Sequence, residues 1–244
     1  MTGEYQGTPA RLAPSRRSSA HNPKRLSSDL PTHLSRELFA RAQVVRLPAG
    51  RVLFWEGDSG DGCYRVEDGL LKLTMVSKSG AERILAFHGP GAIVGELAVI
   101  DGLPRPMSAV AVRDTVLSFL SRTAFAAFGE KHPELCQSLL RLLTKRMRER
   151  DKMLAATSFL MVKGRIAHTL LELAEHFGEE VEPGRIVIRQ QISQYDLAAM
   201  VGTAREYVAR TLSDWQRRNL VSRRPSGRYC LENKALFELE VKSR

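Results

Sequence analysis

From Glu134 to Lys163 the chain carries neither glycine nor proline, and good helix formers fill the stretch. A 3.6-residue apolar period over such a run predicts one long helix from Pro133 to about Met161. Its a/d seam consists of Cys136, Leu140, Leu143, Met147, Arg150, Leu154, Thr157 and Met161. Six of those eight are apolar, the pattern of a two-stranded coiled coil and hence of a homodimer. The alternative is a helix that packs on its own neighbouring domain. Arg150 and Thr157 interrupt the seam, and a polar residue there costs stability and is usually kept for register or function.

Upstream the period is 2 rather than 3.6. Short apolar segments at 52–55, 63–66, 70–76, 84–87, 108–112 and 116–120 are punctuated by Gly or Asp-Gly. Ten of the 18 glycines fall between Gly50 and Gly102, a density suited to a roll whose corners need positive φ. Before it, residues 1–30 are rich in Ser, Pro and Arg and poor in large apolar side chains, which predicts a disordered basic tail. After the long helix, Lys163-Gly164-Arg165 predicts a hinge. A helix ending near Phe177-Gly178 follows, then an acidic loop over 179–184 and a strand at 186–188.

The C-terminal quarter carries the sharpest chemical signal. Ser193 suits the N-cap of a helix over 195–201, Gly202 ends that helix, and Thr203 is placed to cap a second helix over 204–219. Leu197, Ala198, Val201, Val208 and Leu212 supply the apolar contact between them, which is the helix-turn-helix layout. Glu206 and Arg210 share one face near the start of the second helix, with Arg205 beside them. Arginine forks match the two acceptors of a guanine edge, and a glutamate accepts from the cytosine amine. Arg217, Arg218, Arg223, Arg224 and Arg228 follow without an intervening acid, and 221–229, turning at Pro225-Ser226-Gly227, reads as a β-wing. Arginines on a wing suit phosphate contacts, which position a protein without reading sequence.

The whole-chain numbers agree. A formal charge of +10 favours a polyanionic partner, and double-stranded DNA first. No apolar run approaches the roughly 20 residues that cross a bilayer, and the N-terminus lacks the apolar core of a secretory signal, so no membrane association and a cytoplasmic location are expected. Cys63, Cys136 and Cys230 are odd in number and far apart, so neither a disulfide framework nor a metal site is expected. No nucleophile–base pair or paired carboxylates stand out, so catalytic residues are not assigned and an enzyme is the remote alternative.

From about Leu30 onward the chain resembles the cyclic-AMP receptor protein/FNR (Crp/Fnr) superfamily of transcription regulators. The residues that carry the likeness are Gly164-Arg165-Ile166-Ala167 with Leu170-Leu171, then Arg205, Glu206 and Arg210, which match the cyclic-AMP receptor branch. The cysteine cluster of the FNR branch is lacking. A second match is Pro90-Gly91-Ala92-x-x-Gly95-Glu96-Leu97-Ala98, then Asp101-Gly102-x-Pro104-Arg105, which is similar to the phosphate cassette of cyclic-nucleotide domains. The resemblance implies that Leu97 and Ala98 offer amides and Arg105 a fork to a cyclic phosphate, while Glu96 accepts from a ribose 2′-hydroxyl. A cassette-shaped turn that binds nothing is the alternative.

Two departures bear on the ligand. Pro106 follows the cassette arginine and has no N–H to donate; Met107 and Ser108 come next. The positions that contact adenine in the family fall on Arg150 and Asp151. Arg150 then either faces a guanine edge or pairs with Asp151 or Glu149. The fold expected is α+β: a basic tail over 1–30, a cyclic-nucleotide-binding-type β-roll (jelly roll) over 31–131, a dimerisation helix and hinge over 132–162, and a winged helix-turn-helix over 163–244. The expected ligand site comprises Gly95, Glu96, Leu97, Ala98, Arg105, Met107, Ser108, Arg150 and Asp151. The expected DNA site comprises Ser193, Thr203, Arg205, Glu206, Arg210, Arg224 and Ser226. No cofactor is required; cyclic AMP or cyclic GMP is the candidate ligand, with a ligand-independent or non-nucleotide-sensing regulator as the alternative. RNA polymerase is a partner implied by the resemblance.

Overall fold

The computed structural model describes residues 30–242. The tail expected over 1–30 lies outside them except for Leu30, which is buried. A short helix, α1 (Thr32–Leu38), leads into an antiparallel roll of β1 (Gln43–Leu47), β2 (Val52–Phe54), β3 (Gly62–Val76), β4 (Glu82–His88), β5 (Ile93–Val94) and β6 (Ser108–Ser121). The sheet runs β1-β6-β3-β4, with β2 on β6 and β5 on β3. One helical turn and a half, α2 (Glu96–Asp101), sits between β5 and β6. Val66, Leu71, Ala109, Ala111 and Leu117 fill the roll.

Asp68-Gly69 bends a strand rather than ending one, so the segments expected at 63–66 and 70–76 are both parts of β3. Likewise 108–112 and 116–120 merge into β6. The β3–β6 register shifts on both sides of Asp68. Gly69 takes φ +104°, and a Cβ there would lie 2.5 Å from Thr115 Cα. The Leu70 amide donates to Thr115 Oγ1 at 3.2 Å, which holds the bulged ladder together.

The chain then passes through α3 (Arg122–Lys131) into the long helix, α4 (Glu134–Phe159). Leu135, Ser138 and Leu142 face inward, and Leu135 packs with Leu34, Cys63, Ile93, Leu120 and Phe125. The seam residues take another face: Leu140, Met147 and Leu154 are 60%, 65% and 67% exposed. One helix thus carries an apolar row buried on its own roll and a second row without a partner among the described residues.

The break in the helix comes earlier than the expected hinge. Leu160 and Met161 are extended, with ψ 138° and 159°, and α5 (Val162–Phe177) starts directly after them. Gly164 lies in the first turn of α5, where a Cβ would stand 2.6 Å from the Val241 carbonyl oxygen. Glycine is needed there for close approach to the C-terminal helix, not for bending.

The second body contains α5, the hairpin β7 (Gly178–Glu182) and β8 (Arg185–Ile188), then α6 (Gln194–Val201), α7 (Arg205–Arg217), β9 (Val221–Arg223), β10 (Tyr229–Leu231) and α8 (Lys234–Lys242). Its sheet order is β7-β8-β10-β9. The acidic loop expected over 179–184 is largely strand β7, paired with β8 from Gly178↔Ile188 to Glu182↔Arg185, and Arg189 and Arg185 offset its charge at Glu179 and Glu182. Ile166, Leu170, Leu197, Val208, Leu212, Trp215 and Phe237 form the core, and Leu70 of the roll belongs to the same cluster. Phe87 meets Phe177 edge-on at 6.5 Å, and Lys72 pairs with Asp196 at 3.5 Å, so the two bodies touch.

Candidate nucleotide pocket and nucleic-acid interface

The cassette folds as a tight turn into α2. Gly95 is its N-cap at φ +83°, and a Cβ there would collide with Arg105 Nη1, so only glycine lets the arginine pass. Arg105 is 1% exposed at its side chain. Its Nη1 donates to the Gly95 carbonyl at 2.7 Å, and its Nη2 donates to the Gly62 carbonyl at 2.7 Å and to Asp61 Oδ1 at 3.1 Å. The guanidinium lies 4.4 Å over the Phe54 ring, an attraction expected between a cation and a π face. Its Nε is buried and meets no hydrogen-bond partner among the described residues.

Glu96, also buried, receives Arg146 Nη1 from α4, while Arg146 Nη2 donates to the Ile93 carbonyl at 2.6 Å. The two charged side chains expected to hold ribose and phosphate are therefore both buried in one place, each already engaged by protein groups. Leu97 is half-buried and Ala98 is buried in α2; the Ala98 carbonyl accepts from Arg122 Nη2 at 2.5 Å. Met107 packs into the roll, and Ser108 Oγ accepts from the Glu56 amide at 2.9 Å, so both are committed inward. Burial pushes the neighbouring Cys63 thiol up to about 12, with the Glu96 charge adding to the effect, so it stays protonated at neutral pH.

Arg150 and Asp151 lie exposed on α4 and join none of these contacts within the single chain. The α4 residue that reaches the cassette is Arg146, which the sequence reading passed over. It stands four residues before Arg150 on the same helix face, and that spacing was the available signal. Asp61 and Phe54 were also missed, because only the fold brings them to Arg105.

The second site is the helix pair α6–α7. Ser193 Oγ accepts from the Asp196 amide at 3.0 Å and Asp196 reaches back to the Ser193 amide, a reciprocal cap. Gly202 closes α6 at φ +71°. Thr203 is not the cap of α7: its amide donates to the Ala198 carbonyl at 3.1 Å in the turn, and Ala204 is the N-cap. That correction shortens the reading helix to Arg205–Arg217. Arg205, Glu206 and Arg210 are all exposed on it, and Val208, Thr211, Leu212 and Trp215 form the opposite, buried face. The wing is β9 and β10, paired from Tyr229↔Arg223 to Leu231↔Val221. Arg224 and Ser226 are exposed at its tip, where the Ser226 carbonyl accepts from Gln191 Nε2 at 2.7 Å.

Residues 44–132 match the Cyclic nucleotide-binding domain family and residues 164–238 the Crp-like helix-turn-helix domain. The chain is 33% identical over 184 residues to the CRP-like cAMP-activated global transcriptional regulator of Mycobacterium tuberculosis, covering 75% of this chain and 82% of that one. It belongs to the Crp/Fnr superfamily. The Cyclic AMP receptor protein of Thermus thermophilus is 37% identical over 171 residues, which is 68% of this chain and 73% of that protein. A solved CRP/FNR-family regulator from Thermus thermophilus superposes with a TM-score of 0.67 at 29% identity, covering 83% of this chain and all of that one. This Crp/Fnr chain is accordingly a DNA-binding transcription regulator with a domain of the cyclic-nucleotide-binding family, and not an enzyme. Its class is α+β, as read from the sequence. Among the described residues no helix is long and apolar enough to cross a membrane.

Proposed function

We propose that this regulator works as a homodimer that binds a cyclic nucleotide in the roll and reads a two-fold symmetric operator with paired α7 helices. The observation that carries the ligand reading is the burial of Glu96 and Arg105 side by side around Gly95, with the Arg105 Nε unsatisfied among the described residues. A ribose hydroxyl and a cyclic phosphate are the chemistry that such a carboxylate and fork accept. Cyclic AMP leads, in keeping with the cAMP-activated mycobacterial relative. Cyclic GMP stays in play through Arg150, whose fork suits the two acceptors of guanine, with Asp151 beside it. Both face solvent on α4, where a second protomer would bring them toward its own pocket. Leu97 and Ala98 would contribute amides and Met107 and Ser108 the wall of the pocket. Pro106 lacks an N–H and weakens the phosphate hold.

The exposed row of Leu140, Met147 and Leu154 is the dimer seam in this reading. The functional units are the roll over 31–131, the dimerisation helix over 132–162 and the winged helix-turn-helix over 163–244. Arg205, Glu206 and Arg210 read bases; Ser193, Thr203, Arg224 and Ser226 hold the phosphate backbone. RNA polymerase is the further partner and the cytoplasm the location.

A second reading, a sensor roll that binds no nucleotide, is favoured by one feature. Arg146 already engages the Glu96 carboxylate, and Asp61 with the Gly95 and Gly62 carbonyls already engages both Nη groups of Arg105. Calorimetry with cyclic AMP and cyclic GMP separates the two. Glu96→Gln should weaken either nucleotide roughly 10- to 100-fold, the value of one charge-assisted hydrogen bond. Absence of heat with both nucleotides at millimolar concentration would leave the second reading standing.

A further inference from the structure

Glu240 on α8 is 5% exposed and lies outside the stretch that matches the helix-turn-helix family. It gathers donors from two other helices. Trp215 Nε1 donates to it at 2.8 Å and Arg218 Nη2 at 2.5 Å, both at the C-terminal end of α7. Lys163 Nζ stands 2.9 Å away, in the first turn of α5, immediately after the break at Leu160 and Met161. Lys163 and Arg218 also approach Asp214, at 3.8 and 3.7 Å. One residue further, the Val241 carbonyl abuts Gly164. The strap therefore ties the tail of the reading helix to the turn that leaves the long helix.

We propose that Glu240 is a positioning residue for DNA reading, fixing the tilt of α7 from the hinge side. This rests on α7 being the reading helix. Arg205 stands about 15 Å along the axis from Trp215 at 1.5 Å per residue. A tilt of about 5° at the anchored end then displaces the reading end by about 1.3 Å, more than the spread of good hydrogen-bond lengths. Loss of the tie degrades base readout, whereas phosphate contacts from long arginines on the wing tolerate the shift.

The test is gel-shift titration of the full chain on an operator selected by the wild-type protein and on a random duplex of equal length. Glu240→Gln and Lys163→Met should each weaken the selected operator about tenfold and leave the random duplex within about twofold. The double variant should be no worse than either alone, since both break one tie. Lys163→Arg should restore discrimination, and it keeps the comparison available if Glu240→Gln fails to fold by circular dichroism. Equal losses on both duplexes, an unchanged operator affinity, or additive losses in the double variant each overturn the proposal. Arg205→Ala serves as the control: if it leaves discrimination intact, the reading-helix assignment itself has failed.

Discussion

Arg105→Ala should destabilise the roll before it says anything about a ligand. The side chain is 1% exposed and supplies two 2.7 Å hydrogen bonds to the Gly95 and Gly62 carbonyls, plus a contact to the Phe54 ring. Hydrogen bonds from a charged donor contribute about 1.5–3 kcal/mol each, and a cation over a ring about 0.5–2 kcal/mol. The Asp61 contact is omitted because that carboxylate is mostly solvated. Deletion leaves two carbonyls facing a cavity; water entering it recovers part of the loss, so the net cost is about 3–5 kcal/mol. Urea denaturation followed by tryptophan fluorescence and circular dichroism measures this as a lower midpoint at constant slope. A cost below about 1 kcal/mol would refute the argument, because it would mean that the buried guanidinium contributes nothing net to the turn. Ligand studies should therefore compare Arg105→Lys, which keeps a charge but has its donors on a single nitrogen in place of the fork, against wild type, and should not treat a binding loss in Arg105→Ala as evidence of phosphate contact alone.

Arg205→Ala and Arg210→Ala should each lose about 1–3 kcal/mol of discrimination at one guanine position, read by competition between matched and mismatched operators. Arg224→Ala on the wing should weaken all duplexes alike and lower the salt slope by about one, and a sequence-dependent loss there would contradict a phosphate role. Met147→Lys leaves the single chain almost untouched because the side chain is already exposed, yet it puts two like charges into the seam; sedimentation should show monomer, and a variant still dimeric at micromolar concentration refutes the seam. The Glu240 carboxyl, which burial alone would raise, is pulled from 4.5 to about 2 by Arg218, Lys163 and Trp215. A depressed folded value means stability fully present above the unfolded pKa of 4.5 and lost as pH falls toward 2, so the urea midpoint of wild type should drop between pH 6 and pH 3 more than that of Glu240→Gln; parallel curves would refute the assignment.

What the chain reveals in advance depends on how locally each feature is determined. The long helix, the reciprocal cap at Ser193, the Gly202 turn and the wing are fixed by residues a few positions apart, so their periodicity and turn chemistry can be read directly. Failures occur where distant chain segments decide. Asp68-Gly69 has the composition of a turn, yet the Thr115 side chain across the sheet makes it a bulge. Gly164 has the look of a hinge, yet it is a glycine because α8 passes over it. Thr203 has the right side chain for a cap, but its backbone is spent on the Ala198 carbonyl and the helix starts one residue later than a Thr203 cap would place it.

The pocket was half legible for the same reason. The step from Glu96 to Arg105 lies within one cassette and survives in the fold, whereas most of the groups that hold those two charges come from elsewhere: Asp61 and Gly62 at the start of β3, Phe54 of β2 and Arg146 of α4. A buried carboxylate and a buried guanidinium each need a partner, and neither takes the other. Glu96 takes Arg146 from the long helix, and Arg105 takes Asp61 and two carbonyls from the roll. A cyclic nucleotide seated between them must therefore compete with Arg146, and Arg146 lies on the helix that bears the exposed apolar row. If the proposed ligand binds there, its occupancy and the setting of α4 are linked through one ion pair. In the proposed dimer that pair is where a small anion in the roll would gain leverage over the spacing of the reading helices.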